Sequence, residues 1–278
     1  MPELPEVERA RRLIERVARG RRITRVVCAR DTIVFDGVSG PRLRRVLTGR
    51  TVLSVARRGK HLWLELDRRP WPCFHLGMTG AFHTPGETPL KLASSPAVEE
   101  LSWPPPFTKI RLVLDDGGEL SMTNKRRLGR IRLRNDPPGE APISRLGFDP
   151  LLDLPSPEGF LDLVVKRSTP VKALLLDQGF AAGVGNWIAD EVLYQARLAP
   201  ARRAAELTSA EIERLRRKLK HVVETAVRVD ADKSRFPRNW LFHRRWKRDP
   251  TATTLGGDRI EHVTIGGRTT AWVPTIQV

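Results

Sequence analysis

Cysteine is scarce: the 278 residues include only Cys28 and Cys73. They lie far apart and form no CxxC pair. That excludes a disulfide framework and a four-thiolate zinc site, and it suits a reducing cytosol. Long apolar runs are missing as well. No stretch approaches the roughly 18 residues of a membrane span, so no membrane association is expected. The start carries Glu3, Glu6 and Glu8 in place of the apolar core of a signal peptide. Acidic residues are the minority charge, 32 against 49 basic ones, which leaves a formal net charge of +17. Such an excess attracts polyanions, nucleic acid foremost. Taken alone, it is equally what an arginine-rich proteome produces. What is present is apolar mass: 40% hydrophobic residues, enough for one large domain or two ordinary ones.

The hydrophobic pattern changes along the chain. Residues 5–19 read as a helix, with Pro5 at the first position, Val7, Ala10, Leu13, Ile14 and Val17 on one face, and Gly20 as the stop. From 23 to 134 strands dominate, among them Thr51–Ala56, His61–Asp67, Lys109–Asp115 and Gly118–Thr123. In the second, Leu62, Leu64 and Leu66 alternate with His61, Trp63 and Glu65, the period of a half-buried strand. Asp116-Gly117-Gly118 reads as a hairpin turn, and many short strands predict an antiparallel sandwich. The proline-rich stretch 84–107 reads as a long surface loop with Trp103 packed on that sandwich. After a Pro- and Gly-rich break at 135–158, helices are expected at 157–166, 169–178, 186–196 and 208–229. Thr208 and Glu211 open the last at capping-box spacing. Residues 240–278 return to short strands, turning at Gly256-Gly257 and Gly266-Gly267.

Several short segments carry chemistry, each with an ordinary alternative. Removal of Met1 would expose Pro2 as a free secondary amine. An α-amine has a pKa of about 8, so much of it is neutral near pH 7 and able to attack a sugar carbon. Glu3 beside it is a candidate proton carrier. The same residues also suit a plain helix lead-in. Lys60 precedes an alternating strand and reads as a surface lysine or as a cation over a cleft. Met78 follows a glycine, as a core residue or as a wedge for a base stack. Arg126-Arg127 is a solvated basic turn or a contact to an orphaned base. Gly183-Val184-Gly185-Asn186, between two helices, is a left-handed turn or a phosphate cradle at a helix N-terminus.

Taken in order, these segments resemble one family. Pro2-Glu3-Leu4-Pro5-Glu6-Val7, Arg58-Gly59-Lys60-His61-Leu62, His75-Leu76-Gly77-Met78-Thr79-Gly80, Lys125-Arg126-Arg127-Leu128-Gly129, Gly183-Val184-Gly185-Asn186 and Gly267-Arg268-Thr269-Thr270 are similar to landmarks of the formamidopyrimidine-DNA glycosylase and endonuclease VIII family. Leu176-Asp177-Gln178-Gly179 and Asn186-Trp187-Ile188-Ala189-Asp190-Glu191 look closest to the plant-type enzymes.

The resemblance implies an α+β multidomain protein. An N-terminal helix and β-sandwich are expected over 1–134, and a linker over 135–149. A helix–two-turn–helix bundle is expected over 150–239 and a hairpin finger over 240–278. It implies a bifunctional glycosylase and abasic-site lyase that excises oxidised bases through a Pro2 iminium and cuts by β,δ-elimination. Catalysis falls to Pro2, Glu3 and Lys60. DNA binding falls to His75, Lys172, Asn186 and Arg268. Void filling falls to Met78, Arg127 and Leu128, where the family usually has phenylalanine at the last. Family members often bind zinc in the finger. Here Thr251, Thr254, Val273 and Ile276 fall at the thiolate positions, so a zincless finger held by Trp272, Val273 and Ile276 is expected, with no metal and no cofactor. The expected partner is damaged double-stranded DNA, bound by a monomer in the bacterial nucleoid or, in a eukaryote, the nucleus. The segment Val229–Trp246 has no glycine and contains Pro237, so it is ill suited to fold over a flipped purine. Formamidopyrimidines and hydantoins are therefore expected to be preferred over 8-oxoguanine. A non-catalytic binder is the rival reading.

Overall fold

Helix α1 (Leu4–Ala18) starts one residue before the expected Pro5 and ends two residues before Gly20, burying Leu4, Val7, Ala10, Leu13 and Ile14. It opens the first of two compact units, Met1–Arg145 and Leu146–Val278, in a computed structural model that describes residues 1–87, 102–246 and 249–278. Strands β1 (Ile23–Cys28), β2 (Val52–Arg58), β3 (His61–Leu66), β4 (Trp71–His75), β5 (Ala81–His83), β6 (Thr108–Leu114), β7 (Glu119–Thr123) and β8 (Arg130–Arg134) follow. They form two antiparallel four-stranded sheets, ordered β1-β6-β7-β5 and β2-β3-β4-β8. The expected hairpin at Asp116-Gly117-Gly118 joins β6 to β7, with Gly117 at φ 84°. Leu62, Leu64, Phe74, Ile110, Leu112, Leu120 and Ile131 meet Val7 and Ile14 of α1 in one apolar core.

Two details depart from the sequence pattern. A helix, α2 (Gly40–Leu47), interrupts the strand region. Its capping signals were legible: the Ser39 hydroxyl accepts the Arg42 N–H at 3.3 Å and Pro41 sits in the first turn. Its apolar face, Leu43 and Leu47, is too short to stand out among arginines. In β3, Trp63 is buried although it lies on the alternate face. Trp103 does pack on the sandwich, its indole N–H donating to Glu119 of β7. Residues 88–101 of that proline-rich stretch lie outside the described residues.

The second unit holds α3 (Pro157–Val165), α4 (Val171–Leu176), α5 (Asn186–Ala196), α6 (Ser209–Arg228) and a hairpin of β9 (Glu261–Ile265) and β10 (Arg268–Trp272). The Thr208–Glu211 capping box is formed. The finger differs from expectation. Val273 and Ile276 do pack there, with Leu241, Ile260 and Ala271, but Trp272 is not among them. The Thr254 hydroxyl, at a position expected to match a family thiolate, accepts the N–H groups of Gly256 (3.2 Å) and Asp258 (3.1 Å). Asp258 in turn accepts the Thr275 hydroxyl at 3.0 Å. Hydrogen bonds thus close this loop. Among the described residues no three His, Cys, Asp or Glu side chains gather to hold an ion.

Candidate active site

Pro2 and Glu3 are both buried at the head of α1, behind an exposed Met1. The Glu3 N–H donates to a Glu6 carboxylate oxygen at 3.0 Å, which fixes the first turn. Burial, and then the charge of Glu3, push the Glu6 carboxyl up to about 7. The same helix reaches the turn that carries Lys60. Glu8 pairs with Arg57 at 3.0 Å, both buried, and Arg57 donates to the Gly59 carbonyl at 3.0 Å. Gly59 has a φ of 56°, which suits glycine. Lys60 follows it and is itself largely buried.

His61, next in the chain, pairs in register with His75, and their rings lie 4.8 Å apart. Burial lowers His61 to about 3, and burial followed by the Lys60 charge lowers His75 to about 4. Both are neutral near pH 7. The Gly77 N–H donates to His75 Nδ1 at 3.2 Å, which puts the His75 proton on Nε2. His75 therefore offers one hydrogen-bond donor and no charge.

The three expected void fillers come from two adjoining loops. Gly77, at φ 64°, lies so near the Leu128 and Gly129 backbone that a Cβ there would sit 2.4 Å from Leu128 carbonyl carbon. Buried Asn124 clasps both loops: its amide donates to the Leu76 carbonyl at 2.9 Å and accepts from the Gly129 N–H at 3.1 Å. Met78 is half-buried, whereas Arg127 and Leu128 are exposed. Arg127 has a φ of 54°, rare for a residue with a Cβ. Its guanidinium is held by Asp31, Nε to Oδ2 at 3.0 Å and Nη2 to Oδ1 at 3.2 Å. Burial alone would raise the Asp31 carboxyl. Hydrogen bonds from Lys109, Val34, Arg127 and Ile33 instead hold it well below the usual carboxylate range.

In the second unit, Gln178 shapes the turn before α5. Its amide donates to the Leu176 and Val184 carbonyls, both at 2.9 Å, and accepts from the Gly183 N–H at 3.1 Å. Asn186 then begins α5, at the positive end of the helix dipole. Its Nδ2 donates to the Thr269 carbonyl of β10 at 2.8 Å, and its Oδ1 is buried with no partner among the described residues. The hairpin tip packs on α4: a Cβ on Gly266 would lie 3.3 Å from the Ala173 Cβ. Arg268, at the tip, is exposed.

Three family models match the chain in this order. Residues 1–131 match the formamidopyrimidine-DNA glycosylase N-terminal domain, 146–238 its H2TH domain, and 240–274 the formamidopyrimidine-DNA glycosylase-like C-terminal domain. The Arabidopsis thaliana formamidopyrimidine-DNA glycosylase is 46% identical over 277 residues, covering 100% of this chain and 71% of its own length. The chain belongs to the formamidopyrimidine-DNA glycosylase family. The Thermus thermophilus formamidopyrimidine-DNA glycosylase is 35% identical over 100% of this chain and 98% of its own. The crystal structure of the MutM (Fpg) protein from that organism superposes with a TM-score of 0.77 at 34% identity, over 99% of this chain and 98% of that one. A Lactococcus lactis formamidopyrimidine-DNA glycosylase bound non-covalently to abasic-site DNA shares the fold, with a TM-score of 0.80 at 23% identity over 99% of both chains.

For this formamidopyrimidine-DNA glycosylase family member, one expected site residue needs correction. Lys172 does not stand over solvent as a phosphate ligand. Its side chain is 0% exposed, pairs with Asp190, and donates to the Asn186 carbonyl at 3.0 Å. Arg245 binds the same carboxylate through Nε at 3.0 Å, and the Ala271 N–H reaches it at 3.2 Å. Lys172 is thus part of a buried charge network that ties α4, α5 and β10 together. Sequence reasoning also passed over Asp31, Asn124, Arg57 and Asp190. Asp190 stands out in the sequence only within a family-like stretch, and the others sit among polar neighbours that carry no motif of their own.

Proposed function

We propose that this DNA glycosylase of base excision repair removes oxidised bases from double-stranded DNA and then cuts the abasic strand, with the Pro2 amine as nucleophile. The carrying observation is the burial of Pro2 and Glu3 together at the head of α1, in a chain matched along most of its length by glycosylase family models. Loss of Met1 frees the amine. Its nitrogen bonds to the sugar C1′ while the C1′–base bond breaks, the electron pair leaving on the base and the amine giving up its proton. Glu3 protonates the ring oxygen O4′, the C1′–O4′ bond opens, and an iminium forms between C1′ and Pro2. The iminium acidifies the C2′ hydrogen, whose loss expels the 3′ phosphate. Loss of a C4′ proton then expels the 5′ phosphate, and water releases Pro2. Lys60, beside a neutral His75, is assigned to phosphate holding or proton transfer near the sugar.

Met78, Arg127 and Leu128 are read as fillers of the space left by the flipped nucleotide, with Arg127 on the orphaned base. Asn186 and Arg268 are read as phosphate contacts, Asn186 through its second amide proton. The protein is taken as a monomer that acts at the nucleoid or in a nucleus. Lesion choice follows from Val229–Trp246. Phe236, Trp240 and Phe242 in that segment are buried and pack with Trp187 of α5, ring centroids 4.9–5.6 Å apart. A segment pinned this way is poorly placed to close over a base, so recognition rests on how easily the base leaves the stack. Formamidopyrimidines and hydantoins then outrank 8-oxoguanine.

The deciding experiment blocks the amine. Protein that retains Met1 or an N-terminal tag should bind lesion DNA yet give no base removal and no borohydride-trapped adduct. Full trapping by blocked protein refutes the proline mechanism. Binding without chemistry by the unblocked protein supports the rival, a non-catalytic binder.

A further inference from the structure

Both ends of Arg127 are fixed. Its backbone belongs to the loop that Asn124 clasps, and its side chain meets Asp31. Asp31 is itself held by groups other than Arg127: Oδ1 accepts the Ile33 and Val34 N–H groups at 2.9 and 3.0 Å, and Oδ2 accepts Lys109 Nζ at 2.7 Å. An arginine has two useful edges. Asp31 takes the side edge, Nε with Nη2. The end edge, Nη1 with the second Nη2 proton, has no acceptor among the described residues, and the Arg127 side chain is 46% exposed. That end edge is the one that grips a base edge in bidentate fashion. Without the carboxylate, the guanidinium has somewhere else to go. A cavity of about 730 Å³ opens beside it, lined by Cys28, Phe35, Val38 and Arg44 among others.

We propose that Asp31 is a positioning residue for selection of the base opposite the lesion, holding the Arg127 guanidinium so that its end edge reads that base. The proposal rests on the reading of Arg127 given above. A pair that only braced the loop would affect stability and leave base choice unchanged.

The test uses duplexes with one preformed abasic site opposite C, A, G or T, and measures borohydride-trapping rates for the unaltered protein, D31N, R127A and the double variant. The readout is the ratio of rates among opposite bases within each variant, which cancels any loss of folded protein. D31N is expected to shrink the spread of rates by about fivefold or more, the scale of one bidentate base contact. R127A should do the same, and D31N should change nothing further in the R127A background. If R127A flattens the spread but D31N leaves it intact, the positioning role is overturned while the Arg127 reading stands. If R127A leaves the spread intact, the Arg127 reading falls and takes the proposal with it.

Discussion

Replacing Lys172 by methionine separates a buried brace from a phosphate ligand. The lysine donates to the Asn186 carbonyl and pairs with Asp190, with none of its side chain exposed. A lost charged hydrogen bond costs about 1.5–3 kcal/mol, and the apolar stem of methionine refills much of the space. Asp190 Oδ1 loses the lysine, but Oδ2 keeps Arg245 and the Ala271 N–H, so the carboxylate retains a counter-charge. K172M should therefore destabilise by about 1–3 kcal/mol. Asp190→Ala is the harsher change. It leaves Lys172 and Arg245, 0% and 5% exposed, without their shared counter-charge. Breaking a buried pair in that way costs about 3–5 kcal/mol, or a fall of about 10–20 °C in Tm for a domain of this size. Urea unfolding gives the stabilities. Binding to an abasic-analogue duplex across a salt series gives the second readout, because each phosphate contact contributes about 0.9 to the slope of log K against log salt. K172M should bind more weakly with an unchanged slope, whereas Arg268→Ala should flatten it by about one contact. A K172M slope flattened by that amount, with stability unaltered, refutes the buried-network argument.

Two further outcomes follow from other parts of the molecule. Burial raises the Glu191 carboxyl to about 7, where it accepts the Phe242 N–H and the Gln195 amide, both at 2.8 Å. The folded state then holds a proton that the unfolded chain releases near its ordinary value, so this group costs stability as pH rises from about 4.5 to 7. His61, His75 and His83, all lowered by burial, pull the opposite way, so the difference between E191Q and the unaltered protein is the observable. E191Q should gain on it by up to ~3 kcal/mol between pH 5 and 8 in urea unfolding, and a constant difference contradicts the assignment. For lesion choice, single-turnover excision from matched duplexes should be faster for a formamidopyrimidine or guanidinohydantoin than for 8-oxoguanine opposite cytosine. Equal rates mean that some element other than Val229–Trp246 closes over the base.

Local signals in the sequence determined much of this protein. The alternation in 61–66, the Asp116-Gly117-Gly118 turn, the Thr208 capping box and the apolar face of α1 each depend on neighbours within a few residues, and each produced the element expected. The order of short motifs pointed to the family because chain order needs no coordinates. Contacts between distant residues were decided only by tertiary structure. Lys172 and Asn186 both looked like phosphate ligands in sequence. Burial beside Asp190, 18 positions away, made one a brace, whereas the other stayed partly open beside the finger. Asp31 and Arg127 are separated by 96 positions, and no local pattern reveals that β1, β6 and the 125–129 loop bring them together. Charge marks a residue as polar wherever it stands, but only packing decides whether its partner is solvent, a phosphate or another side chain.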